Sequence, residues 1–203
     1  MAKLYLAIVG HTATGKESCY KAAKEAFAGK LTVSIHHFSD PLSEVLSLLY
    51  IERSRPNQQL LSTILRQAFG ENLLGNIIFN RALTDTADIV FLDGVRRSKD
   101  VEMLKKMPNS FLLYVHAPLE ETYQRLITRN DRPGDANKTR EQFLVEQSAE
   151  SESLIEALRP IVDFELDNSI YDPRFKSLRD QMVCIINKKL NLLKDGKEKT
   201  SVA

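Results

Sequence analysis

The sequence has no tryptophan, and aromatic residues make up only 7% of it. That argues against a surface built of stacking platforms for single-stranded nucleic acid. It has two cysteines, Cys19 and Cys184. They form neither a metal-ligand spacing nor a disulfide framework, so a reducing, cytoplasmic setting is expected. An excess of one charge is also missing: 28 Lys and Arg stand against 27 Asp and Glu, for a net charge of +1. A general binder of nucleic-acid polymers is normally more basic. No apolar run approaches the ~20 residues that a membrane helix needs. The apolar run after Met1-Ala2-Lys3 stops at Gly10, too short for a signal peptide with its cleavage site. There is no internal repeat and no linker rich in Pro, Gly and Ser. What remains is a chain of 203 residues, 43% hydrophobic and 27% charged. That is globular composition, enough for one large domain or one domain with an inserted lid.

Short apolar runs alternate with amphipathic ones. Leu4 to Val9 is unbroken and ends in glycine, as a strand buried on both faces should look. The pattern predicts a helix from Gly15 to Ala28, a strand over Leu31–Ile35, and a helix opened by Asp40-Pro41. Helical spacing follows at Leu60, Leu61, Ile64, Leu65 and Ala68, stops at Gly70, and resumes at Leu74, Ile77, Ile78 and Ala82. Further strands are expected at Ile89–Leu92, Phe111–Val115 and Asp163–Leu166. Helices should begin at Ser98, at Pro118 (to Arg129), at a Thr139–Gln142 capping box and at Asp172-Pro173 (to Leu193). Asn130–Lys138 reads as a polar loop, and the last ten residues as a frayed tail. The alternation implies a parallel α/β sheet with helices on both faces. Ligands of such sheets sit at the carboxyl ends of the strands, where the polar residues of this sequence gather.

The first strand runs into Gly10-His11-Thr12-Ala13-Thr14-Gly15-Lys16-Glu17-Ser18, a G-x-x-x-x-G-K match with the strand before it and helix after it that the motif requires. Such a loop wraps an anion with backbone N–H groups and adds the positive end of a helix dipole. Lys16 can reach the β- and γ-phosphates of ATP. The usual pattern follows the lysine with Ser or Thr to hold Mg²⁺. Here Glu17 stands there and Ser18 follows. Glu17 either ligates the ion, directly or through water, or serves as a first-turn acid of the helix. The alternative to a phosphate loop is a chance match on a strand–loop–helix unit.

Asp93, Arg96 and Arg97 follow the third strand. Asp93 suits a metal's water shell or a base toward an acceptor, and the arginines would face an anionic substrate. The plain alternative is a solvated turn with a capping Asp. Arg125, Arg129 and Arg132 lie four and three residues apart, one face of a helix, next to a loop holding Pro133-Gly134. Lids of this kind bring guanidinium groups to a transferring phosphoryl. A surface helix paired with Glu120 and Glu121 is the other reading. Asp40 is at least a helix cap. Arg66 sits amid apolar positions, which is costly without a partner such as phosphate. Arg53 and Arg55 are weaker candidates. The pair His36-His37 lacks further ligands at metal spacing and reads as structural or substrate-lining.

These residues carry a resemblance. The chain resembles P-loop kinases of the nucleoside monophosphate type, above all the phage-type deoxynucleoside monophosphate kinases and the related dephospho-CoA-kinase-like proteins. Those families often carry an acid between the loop lysine and the Ser or Thr, as Lys16-Glu17-Ser18 does. Phe38-Ser39-Asp40-Pro41-Leu42 resembles the segment that opens their substrate-binding helix, with Ser43 in place of its Lys. Leu61–Arg66 with Gly70-Glu71-Asn72 resembles the block whose Arg is implied to hold the acceptor phosphate. Asp93-Gly94-Val95-Arg96 resembles their Asp-x-R, and Asp163–Asn168 the strand that leads into the adenine-binding loop. The blocks span about residues 3–170.

The resemblance implies a five-stranded P-loop sheet ordered 2-3-1-4-5 with a lid at about residues 125–142, in a kinase domain over residues 1–193. It implies ATP and Mg²⁺ as cofactors, and a small phosphate-bearing acceptor, with a homodimer left open. Gly10 to Ser18 and Asn168 would bind ATP, and Glu17 and Asp93 the metal. Asp40, Arg66 and Arg96 would bind the acceptor. Lys16, Asp93, Arg125, Arg129 and Arg132 would serve transfer. Three functions stay open: a nucleoside or deoxynucleoside monophosphate kinase, a kinase of dephospho-CoA or another metabolite, and a regulatory NTP binder with little turnover.

Overall fold

The computed structural model describes residues 3–129, 135–148, 150–170, 172 and 176–194, with 150–153, 193 and 194 as backbone only. Along the chain run β1 (Leu4–Val9), α1 (Lys16–Ala26), β2 (Val33–His37), α2 (Asp40–Leu48), α3 (Arg55–Phe69), α4 (Leu73–Thr84) and β3 (Ile89–Asp93). Then come α5 (Ser98–Leu104), β4 (Ser110–His116), α6 (Leu119–Arg129), α7 (Arg140–Gln147), α8 (Glu150–Leu158), β5 (Phe164–Asp167) and α9 (Lys176–Lys194). The strands form one parallel sheet in the order β2-β3-β1-β4-β5, as the resemblance implies.

Strand periodicity explains how the sheet is covered. Tyr5, Ala7 and Val9 point to one face, with Val90, Leu92, Leu112 and Tyr114, and meet Leu42 of α2, Ile78 of α4, Val101 of α5 and Ile155 of α8. Leu4, Leu6 and Ile8 point to the other, with Phe91, Leu113 and Leu166, and meet Cys19 and Ala23 of α1 and Met182 of α9. Every residue of β1 is buried, so the polar chain that follows it emerges only at the carboxyl edge. Among the described residues no helix is long and apolar enough to cross a membrane.

Several element ends lie one or two residues from the expected positions, and two of the differences bear on the site. The second strand starts at Val33 rather than Leu31 and continues to His37. Lys30 and Leu31 still donate their N–H groups to the Phe27 carbonyl as α1 unwinds, while His36 and His37 pair in register with Leu92 and Asp93. Ser39, not Asp40, takes the cap position of α2, and Asp40 and Pro41 are its first helical residues. The spacing does not mark α8. The Thr139–Gln142 capping box is formed, at 3.2 and 2.9 Å. Pro173 and the tail 195–203 lie outside the described residues.

The edge strand β2 is polar because two aspartates satisfy it. Asp85 accepts from Ser34 Oγ and His36 Nε2, both at 2.8 Å, and Asp88 accepts from Thr32 N–H and Oγ1. Burial pushes Asp85 up, but hydrogen bonds from Ala87, Ser34 and His36 outweigh it and hold the carboxyl below its ordinary value. The Thr32 hydrogen bonds lower Asp88. Carboxyls depressed in the fold stabilise it above their unfolded pKa of about 3.9, and that contribution is lost as pH falls through the folded values. The melting temperature should therefore drop as pH is lowered below about 4, and the Asp85→Asn variant should show a shallower drop. An unchanged acid slope in a melting series followed by circular dichroism would remove Asp85 from this role.

Candidate functional site

The loop after β1 is shaped by its backbone. Ala13 has a φ of 64° and Gly15 one of 103°, left-handed values that curl successive N–H groups inward and place Gly15 at the cap of α1. Thr14, which is buried, donates its hydroxyl to the His11 carbonyl at 2.9 Å. Lys16 Nζ reaches back to the Gly10 and His11 carbonyls at 2.7 and 2.9 Å. Ala13 packs on Leu126 of α6 and Phe143 of α7, so the loop is held from above as well as below.

Gly10 is needed for close approach: a Cβ there would lie 2.4 Å from the Val115 carbonyl oxygen and 2.9 Å from Thr14 Oγ1. Gly10→Ala must displace backbone on β4. Overpacking of this kind costs about 1–3 kcal/mol, so the melting temperature should fall by roughly 3–10 °C. A melt within a degree of wild type would mean that the loop yields freely.

Asp93 ends β3 directly beside this loop. Its Oδ2 accepts from His37 Nδ1 at 3.3 Å, and its Oδ1 is buried without a hydrogen-bond partner. Burial pushes the carboxyl up, but the His37 hydrogen bond and the charges of Lys16, His37 and Arg96 prevail and keep it below its usual range. The Asp93 hydrogen bond in turn raises His37 against the effect of burial, with Asp40 and Glu17 contributing. Asp40 accepts the His37 backbone N–H at 2.7 Å. Lys16, Glu17, His37, Asp40 and Asp93 thus form one electrostatic cluster.

An unpartnered, buried carboxylate oxygen within the field of Lys16 is the donor type that Mg²⁺ takes, so Asp93 fits the ion. Glu17 is half-exposed and 3.8 Å from Lys21. Among the described residues no three His, Cys, Asp or Glu gather into a metal cluster. An ion here would take most of its ligands from phosphate and water.

A second cluster lies on the α3–α4 side. Arg66 Nη1 donates to the Glu71 carbonyl at 2.5 Å, and Arg66 Nε to Ser62 Oγ at 3.3 Å. Arg97 Nη1 pairs with the Glu71 carboxylate, which also lies 3.7 Å from Arg66 Nη1. Burial and the neighbouring charge of Arg97 lower Arg66, while Asp100 and Glu71 oppose them. Asp100 is buried and accepts the backbone N–H groups of Arg96 and Arg97 at 3.4 and 3.3 Å. Through Glu71, Arg97 stands next to Arg66. Arg96 is felt at Asp93.

The arginines of α6 separate. Arg125 is largely buried and donates to the Asn168 carbonyl at 2.8 Å. Asn168 donates its amide to the Thr14 carbonyl at 2.8 Å, and its Nδ2 lies 2.2 Å from where a Gly15 Cβ would stand. These contacts join the turn after β5 to the phosphate loop. Arg129 is exposed in the last turn of α6. Arg132 and Pro133-Gly134 lie outside the described residues. Arg140 pairs with Glu120 at 3.2 Å, as a surface helix would.

His37, which the sequence reads as structural or substrate-lining, and Glu71, which it places only in a block resembling the acceptor site, both stand in the site. The signal for His37 was its position, at the carboxyl end of a strand beside the phosphate loop. Beyond them, His11 Nε2 meets Glu156 Oε1 at 2.7 Å, and Tyr114 donates to the same carboxylate. Those residues line a cavity of about 480 Å³ with Arg159 and Thr14.

No family model matches the chain. A UPF0200 protein of Sulfurisphaera tokodaii is 24% identical to it over 180 residues, which cover 88% of this chain and 94% of that protein. Among solved structures, shikimate kinase from Bacteroides thetaiotaomicron superposes with a TM-score of 0.58 at 14% identity, over 93% of this chain and 99% of that one. The APS kinase of Mycobacterium tuberculosis, solved with AMPPNP and APS, gives 0.53 at 16% identity, over 94% and 98%. At these identities the likeness is one of fold, and the fold of this chain is that of the P-loop kinases.

Proposed function

We propose that the chain is an ATP-dependent phosphotransferase whose acceptor is a small phosphate-bearing molecule, a nucleoside or deoxynucleoside monophosphate. The observation that carries this reading is Asp93: its buried carboxylate feels both Lys16 of the phosphate loop and Arg96, and Arg97, next in the chain, meets Arg66 of α3 through Glu71.

The loop amides and Lys16 hold the β- and γ-phosphates. Asn168 and Arg125, linked to each other and to the loop, border the nucleoside of ATP. Arg66 and Arg97 hold the acceptor's phosphate and aim one of its oxygens at the γ-phosphorus. That oxygen forms the new P–O bond, the bond to the β–γ bridging oxygen breaks, and ADP leaves. Asp93 would hold Mg²⁺ with Glu17 or Ser18, and the ion supplies neutralising charge on the phosphates. Arg129, in the last turn of α6, would bring charge to the transferring group. Catalysis of this kind is mostly positioning and charge neutralisation.

The test is coupled ADP release with Mg-ATP against dAMP, dCMP, dGMP, TMP, their ribose counterparts and dephospho-CoA. Acceptor-dependent release with one nucleotide class is expected. Release with dephospho-CoA alone would replace the acceptor, and ATP binding without release under any acceptor would replace the reaction.

A further inference from the structure

Glu71 stands where an anion would. Its carboxylate pairs with Arg97 and lies 3.7 Å from Arg66 Nη1, so the two guanidinium groups already share one negative charge. Yet Arg66 does not depend on it for its place. Arg66 is also held by the Glu71 backbone carbonyl and by Ser62, contacts that a side-chain movement leaves intact. The buried Asp100 carboxyl also feels both arginines, which oppose the upward push of burial on its pKa. The Glu71 side chain is 58% exposed and follows Gly70, which has a φ of 96°. It sits at the rim, with open water to move into.

We propose that the Glu71 carboxylate is an internal competitor for the acceptor's anionic group: it occupies the two-arginine site and leaves when the acceptor binds. The inference rests on the reading that Arg66 and Arg97 hold the acceptor phosphate, and it adds how that site selects. A phosphate monoester carries a charge of about −1.5 to −2 near neutral pH. It outcompetes a tethered single charge where a carboxylate-bearing or neutral molecule does not. Glu71 thus sets both the affinity of the site and its preference for phosphate.

An exposed ion pair of this kind is worth up to about a fivefold change in affinity. The experiment measures inorganic phosphate binding by calorimetry, with the phosphate loop filled by Mg-ADP, for the wild type, Glu71→Gln, Arg66→Gln and the double variant. Each protein is checked for an unchanged melt. The expected result is about threefold to fivefold tighter phosphate binding by Glu71→Gln, a gain that disappears when Arg66→Gln is added. If Glu71→Gln binds phosphate equally or more weakly while Arg66→Gln abolishes binding, Glu71 positions the arginines and the proposal falls, though the acceptor site stands. If phosphate binds neither protein at the Arg66 site, both fall together.

Discussion

Replacing Lys16 with alanine should lower kcat/KM by about 10²–10³-fold, the size of effect seen when one fixed donor to a developing charge is removed. The loop itself should survive. Its shape rests on the left-handed turns at Ala13 and Gly15, on the Thr14–His11 hydrogen bond and on the Asn168 amide, none of which uses the lysine. Lys16 contacts two carbonyls of its own loop, and on the proposed reading it exchanges these for phosphate oxygens of ATP. The expected signature is therefore a large kinetic loss with a small change in melting temperature. Activity within threefold of wild type would mean that the loop does not hold the transferring phosphates.

Asp93→Asn should cost a similar factor, about 10²–10³ in kcat, for a different reason. The substitution keeps the size of the side chain and removes its charge. The buried Oδ1, which has no protein partner, no longer offers a carboxylate to a cation, and His37 loses the anion that raises it. Two measurements separate these consequences. Steady-state kinetics across Mg²⁺ concentrations should show a weakened metal dependence. The His37 imidazole, followed by NMR, should titrate at a lower pH than in the wild type. A variant with full kcat would show that Asp93 only braces His37.

Much of this arrangement is legible in residues. β1 announces itself as six consecutive apolar positions, and a strand of that kind can only lie inside a sheet covered on both faces. The glycines, Lys16 and the helix that follows read in sequence as a loop that wraps phosphate. What is not legible lies where tertiary partners decide. The sequence of β2 mixes serine and histidine; it becomes a strand by pairing with β3, and Asp85, far along the chain, satisfies its Ser34 and His36 side chains. Arg125 shares helical spacing with Arg129, which suggests a common task, but its guanidinium turns to the Asn168 carbonyl. Arg96 and Arg97 look interchangeable in sequence. The fold brings Arg97, beside Glu71, to Arg66. His37 is one of two adjacent rings in sequence and is set apart by Asp93, its partner in register on β3.

The most direct test of a phosphotransferase built on Lys16 and Asp93 is to follow the γ-phosphate itself. ATP labelled at that position is incubated with the protein, Mg²⁺ and a mixture of nucleoside monophosphates, and the products are separated. Label should appear in a nucleoside diphosphate with the wild-type chain and should be absent with Asp93→Asn. Label found only in inorganic phosphate, or in no product at all, would contradict phosphoryl transfer to a phosphate-bearing acceptor.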